Sequence, residues 1–424
     1  MKVLVIGGGG REHAIVWKLS QSRHVDKIYC CPGNAGISEL AECIDVNQND
    51  FNALLDFVKY EWIDLTIVGP EDPLSKGIVD LFAKEGRKIV GPDQAAAQLE
   101  SSKVFCKDLL KKYGIPSAEY KVFTSYIHAE DYIKIKGFPI VIKADGLAAG
   151  KGVFIASTLD EARDALKIIM KEKAFGDAGN RVVVEECLAG EEASYMVFTD
   201  GKTILPMVSS QDHKRIFDDD KGLNTGGMGA YSPAPVVTDG LENVIRERIM
   251  TPTVNALKAE GMKYKGILYA GLMIDQGRPK VLEFNCRLGD PETQPVLSRL
   301  ETDFMEIAMA IAEERLHEIS ISWKKDPAVC VVMSSEGYPG TYRKGDTITG
   351  IKQANDLEGT YVFHAGTAYK EERLVTSGGR VLGVTATGIT IADAQKKAYE
   401  AVDKIHFKGM HYRKDIADRA VKSR

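Results

Sequence analysis

Short aliphatic and β-branched runs alternate, through the first hundred positions, with segments whose apolar residues recur every three or four places. KVLVIG (2–7), DKIYCC (26–31), LTIVGP (65–70) and KIVGP (88–92) read as buried strands, and residues 12–20 between the first two carry helical spacing. This alternation predicts a doubly wound α/β layer. A helix over 102–113 stops at Gly114 and Pro116, a C-terminal signal followed by a breaker; the first unit is therefore taken as 1–119. The texture then changes. YKVFTS, PIVIKADG, GVFIAS and RVVVEECL predict strands of a smaller sheet, with one clear helix over 159–171, in a unit spanning 120–190. A second sheet from Ala193 to Glu314, with a long helix after Asp303, fills 191–326. Short strands rich in Gly and Thr make a terminal unit, 327–424. No internal repeat or low-complexity tract interrupts them.

Composition narrows the class. With 424 residues, 44% hydrophobic and 27% charged, the chain can bury the cores of two to four domains. A formal net charge of −5, with Lys and Arg dispersed, leaves no basic footprint for nucleic acid or an anionic membrane. Small polar ligands are the expected partners. The seven cysteines are odd in number and scattered, Cys30 and Cys31 adjacent, with no C-x-x-C pair. That disfavours a disulfide framework or a thiolate zinc site. The N-terminus runs straight into a strand without signal-peptide regions, and no apolar run is long enough to span a bilayer, so a cytoplasmic location is expected. The absence of heptads or a long exposed apolar stripe points to a monomer.

The most informative string is KVLEFNCRLGDPETQ, residues 280–294. On an extended strand Glu283, Asn285 and Arg287 share one face, while Leu282, Phe284 and Cys286 share the other. Glu and Asn oxygens suit Mg²⁺, and an arginine beside them is placed to fork onto a substrate carboxylate. The glycine cluster at 7–10, before Arg11, Glu12 and His13, lies where a strand turns into a helix, a place where backbone amides bind phosphate. It is not a dinucleotide fingerprint: the third glycine position falls on Glu12 or His13, and the second strand ends in Cys30 and Cys31 rather than an acid. GLAAGKGV (146–153) is not a P-loop either, since three residues separate its glycines and Gly152 follows Lys151. It reads as a glycine-rich hairpin able to fold over triphosphate oxygens, with Lys143 on the preceding strand aimed at the same phosphates.

In their order Lys103, IVIKADGLAAGKGV, VVVEECLAGEEAS, SQDHKR, NTGGMGAYSP and LEFNCRLGDPETQ resemble the ATP-grasp ligases, and within them the phosphoribosylamine–glycine ligase (glycinamide ribonucleotide synthetase) family. GGREHA, PGNAG and GPEDPL fit that family's N-terminal domain, and HAGTAY with GGRVLGVTATG its C-terminal domain. The resemblance spans the chain. It implies an ATP-grasp fold beginning near residue 103: an N-terminal doubly wound domain, a small lid, a central ATP-binding domain and a β-rich C-terminal domain. It further implies ligation of glycine to 5-phosphoribosylamine through glycyl phosphate, giving glycinamide ribonucleotide, ADP and phosphate in de novo purine biosynthesis.

The same resemblance assigns roles. Lys103 and Lys143 would contact ATP phosphates under a lid loop of Gly150, Lys151, Gly152 and Val153. The strand end Glu185, Glu186, Cys187 and Leu188 would be the adenine hinge, read by backbone, with Glu192 (or Glu191) at the ribose. Glu283 and Asn285 would hold Mg²⁺ or Mn²⁺; the strand before them, YAGLMID, lacks the acidic ligand of many relatives, which leaves the metal count open. Arg287, Asp212 and the loop Asn224, Thr225, Gly226 and Gly227 would surround glycine and the transferring phosphoryl group, with His213, Lys214 and Arg215 nearby. Gly9, Gly10 and Arg11, with Glu71, Asp72 and Pro73, would hold the sugar phosphate. Three rivals bear on the reading. A nicotinamide oxidoreductase explains only the first cluster; a non-catalytic nucleotide-binding subunit predicts a damaged lid or metal strand; a biotin-carboxylase-like enzyme would take bicarbonate.

Overall fold

The computed structural model describes residues 1–147 and 151–422. β1 (Lys2–Gly7), β2 (Lys27–Pro32), β3 (Glu42–Cys43), β4 (Leu65–Val68) and β5 (Ile89–Pro92) form a parallel layer in the order β3-β2-β1-β4-β5. Both faces are covered: Leu4 and Ile6 enter one core with Leu54 and Phe82, while Val3 and Val5 enter another with Ile15 and Val16. A strand buried on both faces needs no polar positions, which is why these runs read as continuously apolar.

β6 (Tyr120–Phe123), β7 (Ile140–Ala144), β8 (Val153–Ala156) and β9 (Val182–Glu186) make a separate antiparallel sheet in the order β6-β9-β7-β8. The β7–β8 hairpin pairs Lys143 with Val153, as the glycine-rich string implies. Ile140, Ile142, Val182 and Val184 point into a small core of their own. A helix at Tyr126–Lys136 is added to the one expected in this unit. Only Ala129 and Ile133 of it are buried and Ile127 and Ile135 are exposed, so its apolar pattern marks no face; Ser125 as N-cap and Gly137 after it were the available signals.

β10 (Glu191–Thr199), β11 (Ile204–Pro206), β12 (Gln211–Asp212), β13 (Arg215–Phe217), β14 (Lys221–Asn224), β15 (Gly229–Ser232), β16 (Tyr264–Asp275) and β17 (Arg278–Asn285) follow. The central antiparallel strands are not a second sheet. β16 pairs with β10 and β17, and its first residues pair with β5, Tyr264 opposite Pro92 and Lys265 opposite Gly91. One nine-stranded sheet therefore runs from the N-terminal layer into the centre. Glycine makes the seam possible, because a Cβ on Gly266 would sit 3.3 Å from the Gly91 Cα. β12 and β15 leave that sheet to join β18 (Ala328–Ser334), β19 (Thr360–His364) and, beyond the ribbon β20 (Thr367–Lys370) with β21 (Arg373–Thr376), β22 (Arg380–Thr387), in the order β12-β15-β18-β22-β19. The 211–232 segment thus ties the centre to the C-terminal unit.

The N-terminal and C-terminal units are joined through histidines. The His364 amide donates to His13 Nδ1 at 2.7 Å, and Asn34 Nδ2 donates at 2.9 Å to the carbonyls of both Gly8 and His364. Burial, helped by the neighbouring His364, lowers His13 from 6.5 to about 3; burial lowers His364 to about 4; burial, with Arg413 and Arg419 nearby, lowers His213 to about 4. All three stay neutral when folded and take a proton when unfolded below pH 6.5. Their contribution is complete above that pH and drains away as pH falls toward the folded values. Going from pH 7 to 5.5 is expected to cost about 1 kcal/mol for each histidine. Urea unfolding at the two pH values checks this, with His13→Gln reducing the difference; equal stabilities at both would contradict it.

Candidate functional site

A concavity of about 840 Å³ lies between the β6–β9 sheet and strands β10, β16 and β17. Its first wall combines a helix with the small sheet. Helix Lys103–Lys112 is capped by Ser102, whose hydroxyl accepts from the Phe105 amide at 3.1 Å. That fixes Lys103 and, one turn on, Lys107 on the face toward the cavity. Lys103 Nζ donates to the Gly146 carbonyl at 2.5 Å. On the sheet, Val141 lies opposite Glu185, so Val141, Lys143 and Glu185 share the cavity face. Glu185 Oε2 is 3.0 Å from Lys107 Nζ and 3.1 Å from Lys143 Nζ, all three side chains being buried, while its Oε1 has no protein partner. Burial lowers Lys107 against the pull of Glu185 and also lowers Lys103.

These contacts change the reading of the hinge. The Glu185 main chain sits inside the sheet between Tyr120 and Val141, so its carboxylate, rather than its backbone, faces the cavity. Glu186 lines the cavity but turns its side chain to Lys280, at 2.9 Å. Cys187 and Leu188 lie on the wall. Glu191 accepts from Gln211 Nε2 at 3.0 Å and Glu192 from Lys214 Nζ at 3.2 Å, and both border the cavity.

The opposite wall is β17. A register shift between Gly271 and Leu272 leaves Leu282 as an extra residue, so Leu282 and Glu283 both reach the cavity, while Val281 and Phe284 enter the core. Simple alternation, which put Leu282 on the buried face, fails at this bulge. The Leu282 carbonyl accepts from Lys143 Nζ at 3.1 Å, joining the two walls. Glu283 lies 4.0 Å from Lys214 Nζ, and among the described residues neither its carboxylate nor the Asn285 amide takes a protein hydrogen bond. Two uncommitted hard oxygen donors on one strand fit a divalent cation such as Mg²⁺. Burial pushes Glu283 up, but Lys214, Lys143, Lys103 and Arg287 outweigh it and hold the carboxylate below its usual range. Burial raises Asp212 to about 8, with Glu292, Glu192 and Glu283 opposing its charge and Lys214 favouring it.

The third side comes from the chain's two ends. Arg287 Nε donates to Glu71 at 3.0 Å, its second terminal nitrogen lies 2.9 Å from Glu100, and the first donates to the Leu288 carbonyl at 3.3 Å. The fork expected to await a substrate carboxylate is thus already held by two protein carboxylates. At the first glycine turn, Gly9 N donates to Glu12 Oε2 at 2.6 Å and Arg11 Nε to Glu12 Oε1 at 2.7 Å. The anion at this helix start is Glu12 itself, so the Gly9 amide expected to cradle phosphate is occupied. From the C-terminal unit, Arg380 reaches the carbonyls of Gly226 at 2.6 Å and Asp290 at 2.8 Å, and the Asp290 carboxylate at 3.2 Å; Tyr338 OH accepts from the Gly226 amide at 2.9 Å.

The cavity thus brings together Arg11, Glu71, Lys103, Lys143, Gly152, Val153, Glu185, Glu186, Cys187, Leu188, Glu192, Asp212, Asn224, Thr225, Gly226, Glu283, Asn285 and Arg287. Gly9 and Gly10 stand behind it against Asp290, and Gly227 packs on Pro291. Asp72 turns to Lys76 at 2.7 Å and Pro73 is buried in the helix Glu71–Ser75. Lys151 donates to the Pro339 carbonyl at 3.3 Å, across to the C-terminal unit. Gly150 lies outside the described residues. Sequence reasoning missed Lys107, Glu100, Glu292 and Arg380. Lys107 was available as the i+4 partner of Lys103. Glu292, which accepts from Ser194 Oγ at 3.0 Å and Tyr269 OH at 2.9 Å, stood in the DPETQ string.

Family models for the N, ATP-grasp (A) and C domains of phosphoribosylglycinamide synthetase match residues 1–100, 101–293 and 328–419. The chain is 55% identical over 425 residues, 99% of each sequence, to the phosphoribosylamine–glycine ligase of Escherichia coli strain K12. The crystal structure of the phosphoribosylamine–glycine ligase of Thermotoga maritima superposes with a TM-score of 0.85 at 34% identity, over 98% of this chain and all of that one (100%). The biotin carboxylase domain of the Hydrogenobacter thermophilus 2-oxoglutarate carboxylase, solved with MgADP and bicarbonate, shares the fold alone: TM-score 0.75, 16% identity, 97% and 91% coverage.

Proposed function

The chain belongs to the phosphoribosylglycinamide synthetase family and ligates glycine to 5-phosphoribosylamine with ATP, giving glycinamide ribonucleotide for purine biosynthesis, and we propose that it does so through glycyl phosphate formed in this cavity. The observation that supports this route is the convergence on one concavity of the lid-side lysines, the β17 oxygen pair and the Arg380-held glycine loop. A glycine carboxylate oxygen attacks the γ-phosphorus in line, the β–γ bridging P–O bond breaks, and ADP leaves. The amino nitrogen of phosphoribosylamine then attacks the glycyl carbonyl, the acyl C–O bond breaks, phosphate departs, and the nitrogen gives up a proton. No enzyme nucleophile is needed; the protein positions and neutralises.

Lys103 and Lys143 face the triphosphate. The strand end at Glu185, Glu186, Cys187 and Leu188 meets the base edge, and Glu192 meets the ribose with Glu191 beside it. Glu283 and Asn285 hold Mg²⁺, or Mn²⁺ by the same oxygen chemistry, which when bound offsets phosphate charge. Asp212, residues 224–227 and the remaining Arg287 N–H groups receive glycine, and Arg11 with Glu71 lies on the sugar side. Segment 120–190 acts as the lid, keeping water from the acyl phosphate. We take the enzyme to act as a cytoplasmic monomer on small molecules. No helix among the described residues is long and apolar enough to cross a membrane.

The test is phosphate release from MgATP in a substrate-omission series, with phosphoribosylamine generated in place from ribose 5-phosphate and ammonia. Release needing both substrates, with glycinamide ribonucleotide identified by mass and glycine hydroxamate trapped by hydroxylamine in place of the amine, is expected. ATP consumption with bicarbonate in place of glycine would refute the substrate assignment, and product without a trappable acyl phosphate would refute the route. Arg380→Met removes the clamp on Gly226 and Asp290 and is expected to lower kcat by roughly 10²-fold through misplacement of the loop, with nucleotide binding kept. Steady-state rates set against calorimetric ATP-analogue binding check this, and unchanged kcat would contradict it.

A further inference from the structure

A second concavity, of about 500 Å³, opens at the seam where β5 meets β16 and shares no lining residue with the first. It is built from helix Ile78–Lys84, the turn that follows, the start of β16 and the end of helix Phe304–Ala312. Its lining holds five cations, Lys84, Arg87, Lys88, Lys263 and Lys265, against two carboxylates, Asp80 and Asp93. Both carboxylates are committed to main chain: Asp80 accepts from Gln94 N at 2.8 Å, and Asp93 accepts from Ala96 N and Lys263 N, each at 2.8 Å. Lys88 is balanced by Glu313 at 2.6 Å and Lys265 by Glu314 at 2.7 Å. Glu85, which Lys84 and Arg87 both stabilise through space, is paired at 2.7 Å with Lys59. Lys84, Arg87 and Lys263 make no side-chain hydrogen bond or ion pair among the described residues, and the buried Nε of Arg87 has no protein acceptor.

We propose that this concavity is a second ligand site, taking a phosphorylated small molecule whose oxygens meet Arg87, Lys84 and Lys263. Its volume lies in the range of small-ligand pockets, about 300–1,000 Å³. A guanidinium whose terminal nitrogens have no protein acceptor among the described residues, beside two exposed ammonium groups, is the chemistry that recognises phosphate. Arg87 approaches from the N-terminal layer and Lys263 from the turn leading into β16, so the ligand bridges the two halves of the sheet. A sugar phosphate and a mononucleotide share this chemistry.

The full chain, with its ATP cavity saturated by a non-hydrolysable ATP analogue and Mg²⁺, is titrated calorimetrically with ribose 5-phosphate and, separately, with AMP. The comparison is with Arg87→Gln/Lys263→Gln and with Lys84→Gln/Lys263→Gln, the latter pair changing exposed side chains only. A binding event present in the wild type and weakened at least tenfold in the variants, with ligase turnover unchanged, is expected. Weakening for ribose 5-phosphate alone assigns a sugar phosphate, and for AMP alone a nucleotide. Isotherms that coincide for wild type and both variants with both probes, whether showing binding or none, overturn the proposal.

Discussion

Glu283→Gln is expected to reduce kcat by roughly 10²–10³-fold or more while the protein stays folded and still binds nucleotide. The substitution keeps size and one oxygen but removes the charge around which this wall is arranged. Lys214, Lys143, Lys103 and Arg287 together hold the carboxylate below its usual range on the cavity wall, where its side chain is still 41% exposed. Without it, those cations lose their counter-charge and the β17 oxygen pair keeps only neutral donors, a weaker site for a hard divalent ion. The loss falls on the step in which phosphate charge must be neutralised, so kcat drops more than the affinity for ATP analogue. Steady-state rates over a magnesium titration, thermal unfolding and calorimetric analogue binding separate these effects. Full turnover with an unchanged magnesium dependence would remove Glu283 from the reaction. A collapse of thermal stability with lost analogue binding would make its role structural.

What could be read from the chain ahead of its structure follows the range of the interactions involved. Buried parallel strands such as β1 and β4 are legible because burial on both faces leaves one composition possible. The β7–β8 hairpin is legible because its glycine string is local. The seam between β5 and β16 is not, since it joins positions far apart in the chain through two glycines with no side-chain signal. The β17 bulge moves Leu282 across the sheet without any residue that announces it. Site residues divide the same way. Lys103, Lys143, Glu283 and Asn285 sit in strings whose chemistry shows in the sequence, and the structure puts them on one cavity. Arg380 is a lone arginine whose partners, Gly226 and Asp290, lie in other units. Glu12 and Glu100 satisfy groups that the sequence leaves apparently free, and only the fold shows those groups to be taken.

Arg287 is where that distinction has the largest consequence for stability. Its side chain is 17% exposed and that of Glu100 is 8% exposed, at 2.9 Å, with Glu71 on the other flank. Burial opposes the ionised Glu71, but Arg287 and Arg11 outweigh it and hold the group near 2. Burial raises Glu100 against the pull of Arg287. Arg287→Ala leaves the buried Glu100 without its cation, while Glu71, 30% exposed, keeps Arg11 at 4.0 Å, and breaking a buried pair from one side costs about 3–5 kcal/mol. The variant is therefore expected to unfold at markedly lower urea concentration than wild type. Glu100→Gln added to it should return much of the loss by removing the less exposed charge, whereas Arg287→Lys keeps the charge but cannot serve both carboxylates at once. Activity provides the second readout, since the N–H groups Arg287 does not spend on protein are those assigned to glycine. Measured under conditions where the variants are folded, Arg287→Lys should raise the KM for glycine at least tenfold with ATP use little changed. Equal stability of Arg287→Ala and wild type would contradict the buried cluster, and an unchanged KM for glycine in a folded Arg287→Lys would confine Arg287 to holding Glu71 and Glu100 in place.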